Sequence, residues 1–200
     1  MILTTQSIFE ETRKVLKRLE RMAERESLPS IGPVKGKIIA DVIQNYKPRR
    51  ILEIGALYGY SAILMGNVLA EENAEVTTIE RDKESANIAR KNIEDAALAD
   101  KVGVIEGDAL EIIPKLNEKF DVVFLDGTKE EYLKYLKLVE KNLNRGAVVM
   151  ADNVGVFKTS MRDYLEYVRN SGLYNSRTLE TELEFNSNTK DAIEVSIKIV

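Results

Sequence analysis

Three oxygen donors close two apolar runs in this chain: Asp126 ends FDVVFLDG (120–127), and Asp152 with Asn153 ends GAVVMADN (146–153). If the two runs are neighbouring parallel strands, their carboxyl ends lie side by side and the three donors can converge on one cation. Two carboxylates, one amide and open positions suit an octahedral ion that keeps waters or substrate oxygens. The plain alternative is local, since Asp-Gly and Asp-Asn are ordinary turn pairs after strands. Composition bears on the choice. The chain has no cysteine and no histidine, which removes thiolate zinc sites, iron–sulfur clusters, cysteine nucleophiles, the Ser-His-Asp arrangement and most imidazole ligation. A protein-bound metal is then a hard cation, Mg²⁺, Ca²⁺ or Mn²⁺, and a catalytic base is Asp, Glu, Lys or Tyr. Lys129, just past Asp126-Gly127-Thr128, is the base candidate. A lysine in a first helical turn opposes the macrodipole, whereas beside a dication its ammonium is disfavoured and the free amine can take a proton from a hydroxyl. Thr128 and Glu131 also read as a capping box.

A second constellation lies upstream. ILEIGALYGYS (51–61) reads as strand, tight turn and helix start, with Gly55 and Gly59 serving the turn and the close approach of a ligand, and with Glu53 preceding them. The G-x-x-x-G spacing differs from the G-x-G-x-x-G of dinucleotide folds, so a cofactor without a diphosphate fits better. Glu80 ends the next strand about 25 residues on, where a carboxylate can accept from both hydroxyls of a ribose. Asp108 and Ala109 follow a third strand; Asp108 either holds an adenine amino group or caps the next helix.

These residues need elements to position them. Short apolar runs at 50–55, 75–80, 101–107, 120–127 and 146–153 alternate with helical stretches at 59–71, 83–97, 108–116, 129–143 and 158–171. That order predicts a doubly wound α/β domain on a parallel sheet. Residues 174–184 and 192–200 are extended, with SNTKD as the turn before the last, and predict a closing antiparallel hairpin. An amphipathic helix over 5–26, a loop over 27–36 and a helix over 34–46 precede the sheet. With 200 residues and no repeat or linker, the chain reads as a single domain, 1–46 supplying N-terminal helices and a cofactor-covering loop and 50–200 the sheet core. Neither a signal peptide nor a membrane span is expected, so the expected location is cytoplasmic.

The stretches IGPVKGKI, ILEIGALYGYSA, FLDGTKEEYL and ADNV give the chain its resemblance. From about Pro29 to the C-terminus it resembles class I S-adenosylmethionine-dependent O-methyltransferases, nearest the metal-dependent catechol and caffeoyl-CoA enzymes. The resemblance implies a Rossmann-like seven-stranded sheet, mostly parallel. It implies that Ile31 packs near the methionine part of the cofactor, that Tyr60 and Ser61 line its carboxylate and amino end, that Asp126, Asp152 and Asn153 are the metal ligands, and that Lys129 is the base. Leu183-Glu184-Phe185 resembles the segment that holds the acceptor's second hydroxyl. An aromatic cofactor contact of the catechol enzymes is Leu57 here, and Ser27 and Thr128 stand where those enzymes have aromatic gatekeepers; Phe157 and Tyr132 are candidates to shape the pocket instead.

The reading that follows is a Mg²⁺-dependent O-methyltransferase using S-adenosylmethionine on a small catechol-like acceptor. The alternative acceptor is a hydroxylated tRNA base, 5-hydroxyuridine. The net charge of −4 opposes it, and Lys47, Arg49, Arg50, Lys158 and Arg162 favour it if they share a face with the pocket. A non-catalytic cofactor-binding module is the rival of another class, and a degenerate module is expected to lose the metal triad or the lysine. A dinucleotide-linked oxidoreductase is opposed by the glycine spacing. The resemblance also makes a homodimer plausible, with the N-terminal helix as a candidate contact.

Overall fold

The computed structural model describes residues 5–69, 73–185 and 189–200. In chain order the elements are α1 (Thr5–Glu26), α2 (Pro33–Tyr46), β1 (Arg50–Ile54), α3 (Tyr60–Val68), β2 (Glu75–Glu80), α4 (Lys83–Asp95), β3 (Val102–Glu106), α5 (Ala109–Ile112), β4 (Phe120–Leu125), α6 (Tyr132–Val139), β5 (Leu143–Ala151), α7 (Arg162–Asn170), β6 (Tyr174–Glu182) and β7 (Lys190–Lys198). The seven strands form one sheet in the order β3-β2-β1-β4-β5-β7-β6. All are parallel except β7, which slots between β5 and β6 and runs against both. This is the α/β architecture expected, hairpin included.

The central strands are apolar on both faces because helices cover both. Ile51, Val122, Phe124, Val148 and Met150 point to the side packed by α1, α2 and α3. Leu52, Ile54, Val123, Leu125 and Val149 alternate to the opposite side, under α6 and α7. Helix α1 buries Val15 and Leu19 in the first of these cores, donates from Thr12 Oγ1 to the Ala96 carbonyl (3.0 Å), and ties Arg18 to Asn92 and Asp95. Its apolar face is therefore engaged within this chain. Among the described residues no helix is long and apolar enough to cross a membrane.

Register positions the chemistry. Ile54 pairs with Ile79 and with Leu125, and Leu125 pairs with Ala151. One residue further on, Glu80, Gly55, Asp126 and Asp152 therefore stand in a row at the carboxyl ends of β2, β1, β4 and β5. Several boundaries differ from the expectation. Helix α2 starts inside the anticipated loop, at Pro33, whose missing N–H suits a first helical position. The segment expected as helix from 158 becomes helical only at Arg162, after a run of turns. Residues 70–71 of the expected third helix, and 187–188 of the expected hairpin turn, lie outside the described residues.

Candidate active site

A cavity of about 730 Å³ opens along that row of strand ends. Gly55 has φ +98°, and a Cβ there would lie 2.6 Å from the Asp126 carbonyl oxygen, so the loop can approach β4 only as glycine. Glu80 holds the same loop from the other side. Its Oε2 accepts from the N–H groups of Ala56 (3.1 Å) and Leu57 (2.8 Å), and its Oε1 accepts from Asp82 N–H (2.8 Å). Gly59, φ +87°, precedes α3. Asp108 lines the cavity beside Gly107 and Ala109. Its Oδ1 caps α5 by accepting from Leu110 N–H (2.8 Å), and its Oδ2 lies 3.9 Å from the Arg81 guanidinium. Arg81, which no sequence signal marked, reaches across this end to Thr128 Oγ1 (3.4 Å).

Deeper in, Ile31, Tyr60 and Ser61 line the wall, all nearly buried. The Tyr60 hydroxyl donates to Glu20 of α1 (2.8 Å), so the N-terminal helix braces this wall. Behind it the Glu53 carboxyl is fully buried with neither oxygen hydrogen-bonded. Burial pushes it up to about 8; the nearby hydroxyls of Ser61 and Thr78 oppose that rise, while Asp126 and Glu80 add to it.

Asp126, Asp152, Asn153 and Lys129 all line the other end of the cavity. Lys129 Nζ donates to Asp126 Oδ1 (2.8 Å) and to the Tyr132 hydroxyl (2.9 Å). The expected capping box is absent: residues 129–131 form a 3₁₀ turn, Thr128 makes no side-chain cap, and Glu131 instead accepts from Tyr135 (2.6 Å). Tyr132 does not shape the pocket surface, being fully buried beneath Lys129, whereas Phe157 does line it. Asp152 is buried, and burial together with the Asp126 charge raises it to about 7, against the pull of Lys35 and Lys129. Asn153 adopts a left-handed backbone, φ +61°. Its Nδ2 donates to Asp191 (2.9 Å), which leaves its amide oxygen for another partner.

Glu184 reaches the cavity, yet its carboxylate is also the cap of α2, accepting from Lys35 N–H. Gly32 makes room for it, since a Cβ there would lie 2.6 Å from Glu184 Oε2. Burial raises Glu184, and the N–H groups at the start of α2 hold it back. The two residues missed at this end are Lys35 and Asp191. Lys35 Nζ contacts Asp152 and Asp191 at 2.6–2.9 Å, and all three side chains are at most 3% exposed. The signal was available: Lys35 shares a helical stripe with Ile39, Val42 and Ile43, the face α2 buries.

The residues suit the groups the sequence implies. Asp126, Asp152 and the Asn153 amide oxygen line one end of the cavity and are the donor types that a hard cation takes. The orphaned Glu53 carboxyl behind Ser61 suits the ammonium end of an amino-acid cofactor.

The O-methyltransferase family model matches residues 6–173. Catechol O-methyltransferase B of Danio rerio is 37% identical over 180 residues, covering 86% of this chain and 67% of that protein. Catechol O-methyltransferase of Mus musculus is 37% identical over 170 residues, covering 82% of this chain and 63% of the mouse protein. The chain thus spans about two thirds of the length of these relatives. Among solved structures, the O-methyltransferase from Bacillus cereus in complex with SAH superposes with a TM-score of 0.82 at 28% identity, covering 92% of this chain and 90% of that one. Glycine loop, strand-end acids and lysine all fall inside the matched span, and the chain belongs to the O-methyltransferase family, of the catechol O-methyltransferase type.

Proposed function

We propose that this chain transfers a methyl group from S-adenosylmethionine to one hydroxyl of a small catechol-like acceptor, with Mg²⁺ bound by Asp126, Asp152 and Asn153. The observation that carries the reading is the shared cavity: the glycine loop with Glu80 lies at one end, and Lys129 with the three oxygen donors at the other. When bound, the cation supplies Lewis acidity toward two vicinal oxygens, and the cofactor supplies a sulfonium methyl. Glu80 would accept from the ribose, Asp108 Oδ2 from the adenine amino group, and Glu53 with Ser61 and Tyr60 would hold the methionine end under Ile31. Lys129 takes the proton of the reacting hydroxyl, and Glu184 accepts from the second one. Transfer would form the O–CH₃ bond from the acceptor oxygen's electron pair and leave the S–CH₃ pair on sulfur. Positioning and charge supply most of the acceleration.

A tRNA acceptor is not favoured. Lys47, Arg49 and Arg50 sit before and at the start of β1, whereas Lys158 and Arg162 follow β5, so the basic residues divide between opposite ends of the sheet. The test is transfer of a labelled methyl group from S-adenosylmethionine to a catechol panel and to bulk tRNA, with and without EDTA. Catechol labelling that EDTA abolishes and Mg²⁺ restores is expected. Undiminished labelling in metal-free protein would return Asp126, Asp152 and Asn153 to turn residues, and labelling of tRNA alone would replace the acceptor.

A further inference from the structure

The buried lysine of α2 has a geometry that bears on which cation the site accepts. Lys35 Nζ lies 2.8 Å from Asp152 Oδ1 and donates to Oδ2 at 2.9 Å. An atom nearly equidistant from both oxygens stands on the plane that bisects the carboxylate, in front of both. A cation chelated by both oxygens would lie in that same plane, at about 2.3–2.6 Å from each for Ca²⁺, and so compete with the ammonium for the space in front of them. The lysine is not free to leave. Its ammonium also donates to Asp191 Oδ2 (2.6 Å), and the side chains of Lys35 and Asp191 are 2% and 0% exposed. Asp191 is fixed in turn by the N–H groups of Gly155 and Val156 (3.1 Å each) and by Asn153 Nδ2 (2.9 Å). Asp126 is arranged differently, with Lys129 on Oδ1 alone.

We infer that Lys35, anchored by Asp191, is a specificity-determining residue of the cation site: it denies Asp152 bidentate coordination and so selects a small octahedral cation such as Mg²⁺ over Ca²⁺. The physical reason is the difference between the two ions. Mg²⁺ takes six ligands at short range, most of them monodentate or water, and loses nothing when a carboxylate offers one oxygen. Ca²⁺ takes six to eight ligands and gains from carboxylates that supply two oxygens each. Asp191 adds a second constraint, because it takes the Asn153 amide N–H and thereby presents that residue's oxygen in one fixed direction. The inference rests on the proposed cation site but not on the methyl acceptor.

The test uses binding rather than turnover. Mn²⁺ is bound to the metal-free protein and followed by its electron paramagnetic resonance signal, then displaced by Mg²⁺ or by Ca²⁺ in separate titrations. The readout is the ratio of the two affinities, compared between the wild type, Lys35→Met, and the charge-balanced pair Lys35→Met with Asp191→Asn. Removing a positive charge strengthens binding of any dication, and that effect cancels in the ratio. A purely structural role for Lys35 would likewise leave the ratio unmoved. The expected result is a shift of the ratio toward Ca²⁺ of about tenfold, in the range typical of residues that orient metal ligands, in whichever variant folds. An unchanged ratio overturns the inference, as does a Ca²⁺-soaked crystal of the wild type showing Asp152 bidentate. Failure of the wild type to bind Mn²⁺ at all would instead overturn the cation site itself.

Discussion

Replacing Glu53 by glutamine should flatten the pH dependence of folding in the cofactor-free protein. The carboxyl sits at the fourth residue of β1, fully buried, and burial lifts it from 4.5 to about 8. The folded chain therefore keeps a proton over a range in which the unfolded chain has lost it. Stability falls as pH rises through that window, from about 4.5 to about 8, and levels off above it. At roughly 1.4 kcal/mol per unit, the full loss is on the order of 5 kcal/mol, and about half of it falls between pH 5.5 and 7.5. Such a loss is a large part of an ordinary domain's stability of about 5–15 kcal/mol. Asp152, raised to about 7, contributes in the same direction, so the quantity to read is the difference between the wild type and Glu53→Gln. Glutamine keeps the shape, cannot titrate, and has the Ser61 and Thr78 hydroxyls to pair with. Urea unfolding at the two pH values, with m unchanged, gives the answer. A Glu53→Gln protein with the wild-type slope, or a wild type that gains stability toward pH 7.5, would refute the reasoning. On the proposed function, binding of the cofactor's ammonium end should release about one proton near neutrality as Glu53 ionises, which calorimetry in buffers of different ionisation enthalpy measures.

Other outcomes test other parts of the site. Glu80→Ala should weaken S-adenosylmethionine by about 1.5–3 kcal/mol, roughly 10- to 150-fold in Kd, and should also lower Tm, because the N–H groups of Ala56, Leu57 and Asp82 lose their acceptor; an unchanged Kd in the folded variant removes Glu80 from the cofactor site. Gly55→Ala should destabilise by about 2 kcal/mol or more, since its φ is +98° and its Cβ would press on the Asp126 carbonyl; a neutral result in urea unfolding would show that the loop has room to relax. Lys129→Ala should lower kcat by roughly 10²–10⁴ with cofactor Kd unchanged. Lys129→Arg should be almost as impaired, because a guanidinium keeps its proton; near wild-type kcat with arginine would leave Lys129 a charge and not a base.

The legible part of this molecule was the part written locally. Strands such as AVVM and VVFL are continuous apolar runs because both faces of the sheet are covered, and the residues that end them fall on one rim of a parallel sheet. That is why Glu80, Asp126 and Asp152 could be found without coordinates. Boundaries were harder where tertiary contact decides them. Helix α2 begins at Pro33 because Glu184, some 150 residues away, caps it. Thr128 and Glu131 have the spelling of a capping box, but Glu131 takes the Tyr135 hydroxyl and the turn tightens to 3₁₀. The basic residues offered for tRNA needed to share a face with the pocket, and the direction of β1 divides them.

The site's other half is held by contacts that no local pattern encodes. Lys35 and Asp191 are separated by 156 positions and meet only because α2 lies against the end of β7. Each taken alone looks ordinary, a lysine in a charged helix and an aspartate at a strand start. What distinguishes Lys35 is its place on the apolar stripe of α2, with Ile39 and Ile43. A four-carbon ammonium at such a position enters the core, and a buried ammonium stays charged only if anions meet it there. The stripe thus predicts buried acidic partners without naming them, and strand-end acids are the natural candidates in a sheet whose rim already gathers Asp126 and Asp152. Removing Lys35 alone would leave Asp152 and Asp191 buried without their counter-charge, a defect of about 3–5 kcal/mol. That is the reason a charge-balanced double variant accompanies the single one: it keeps a folded protein in which the ratio can be read.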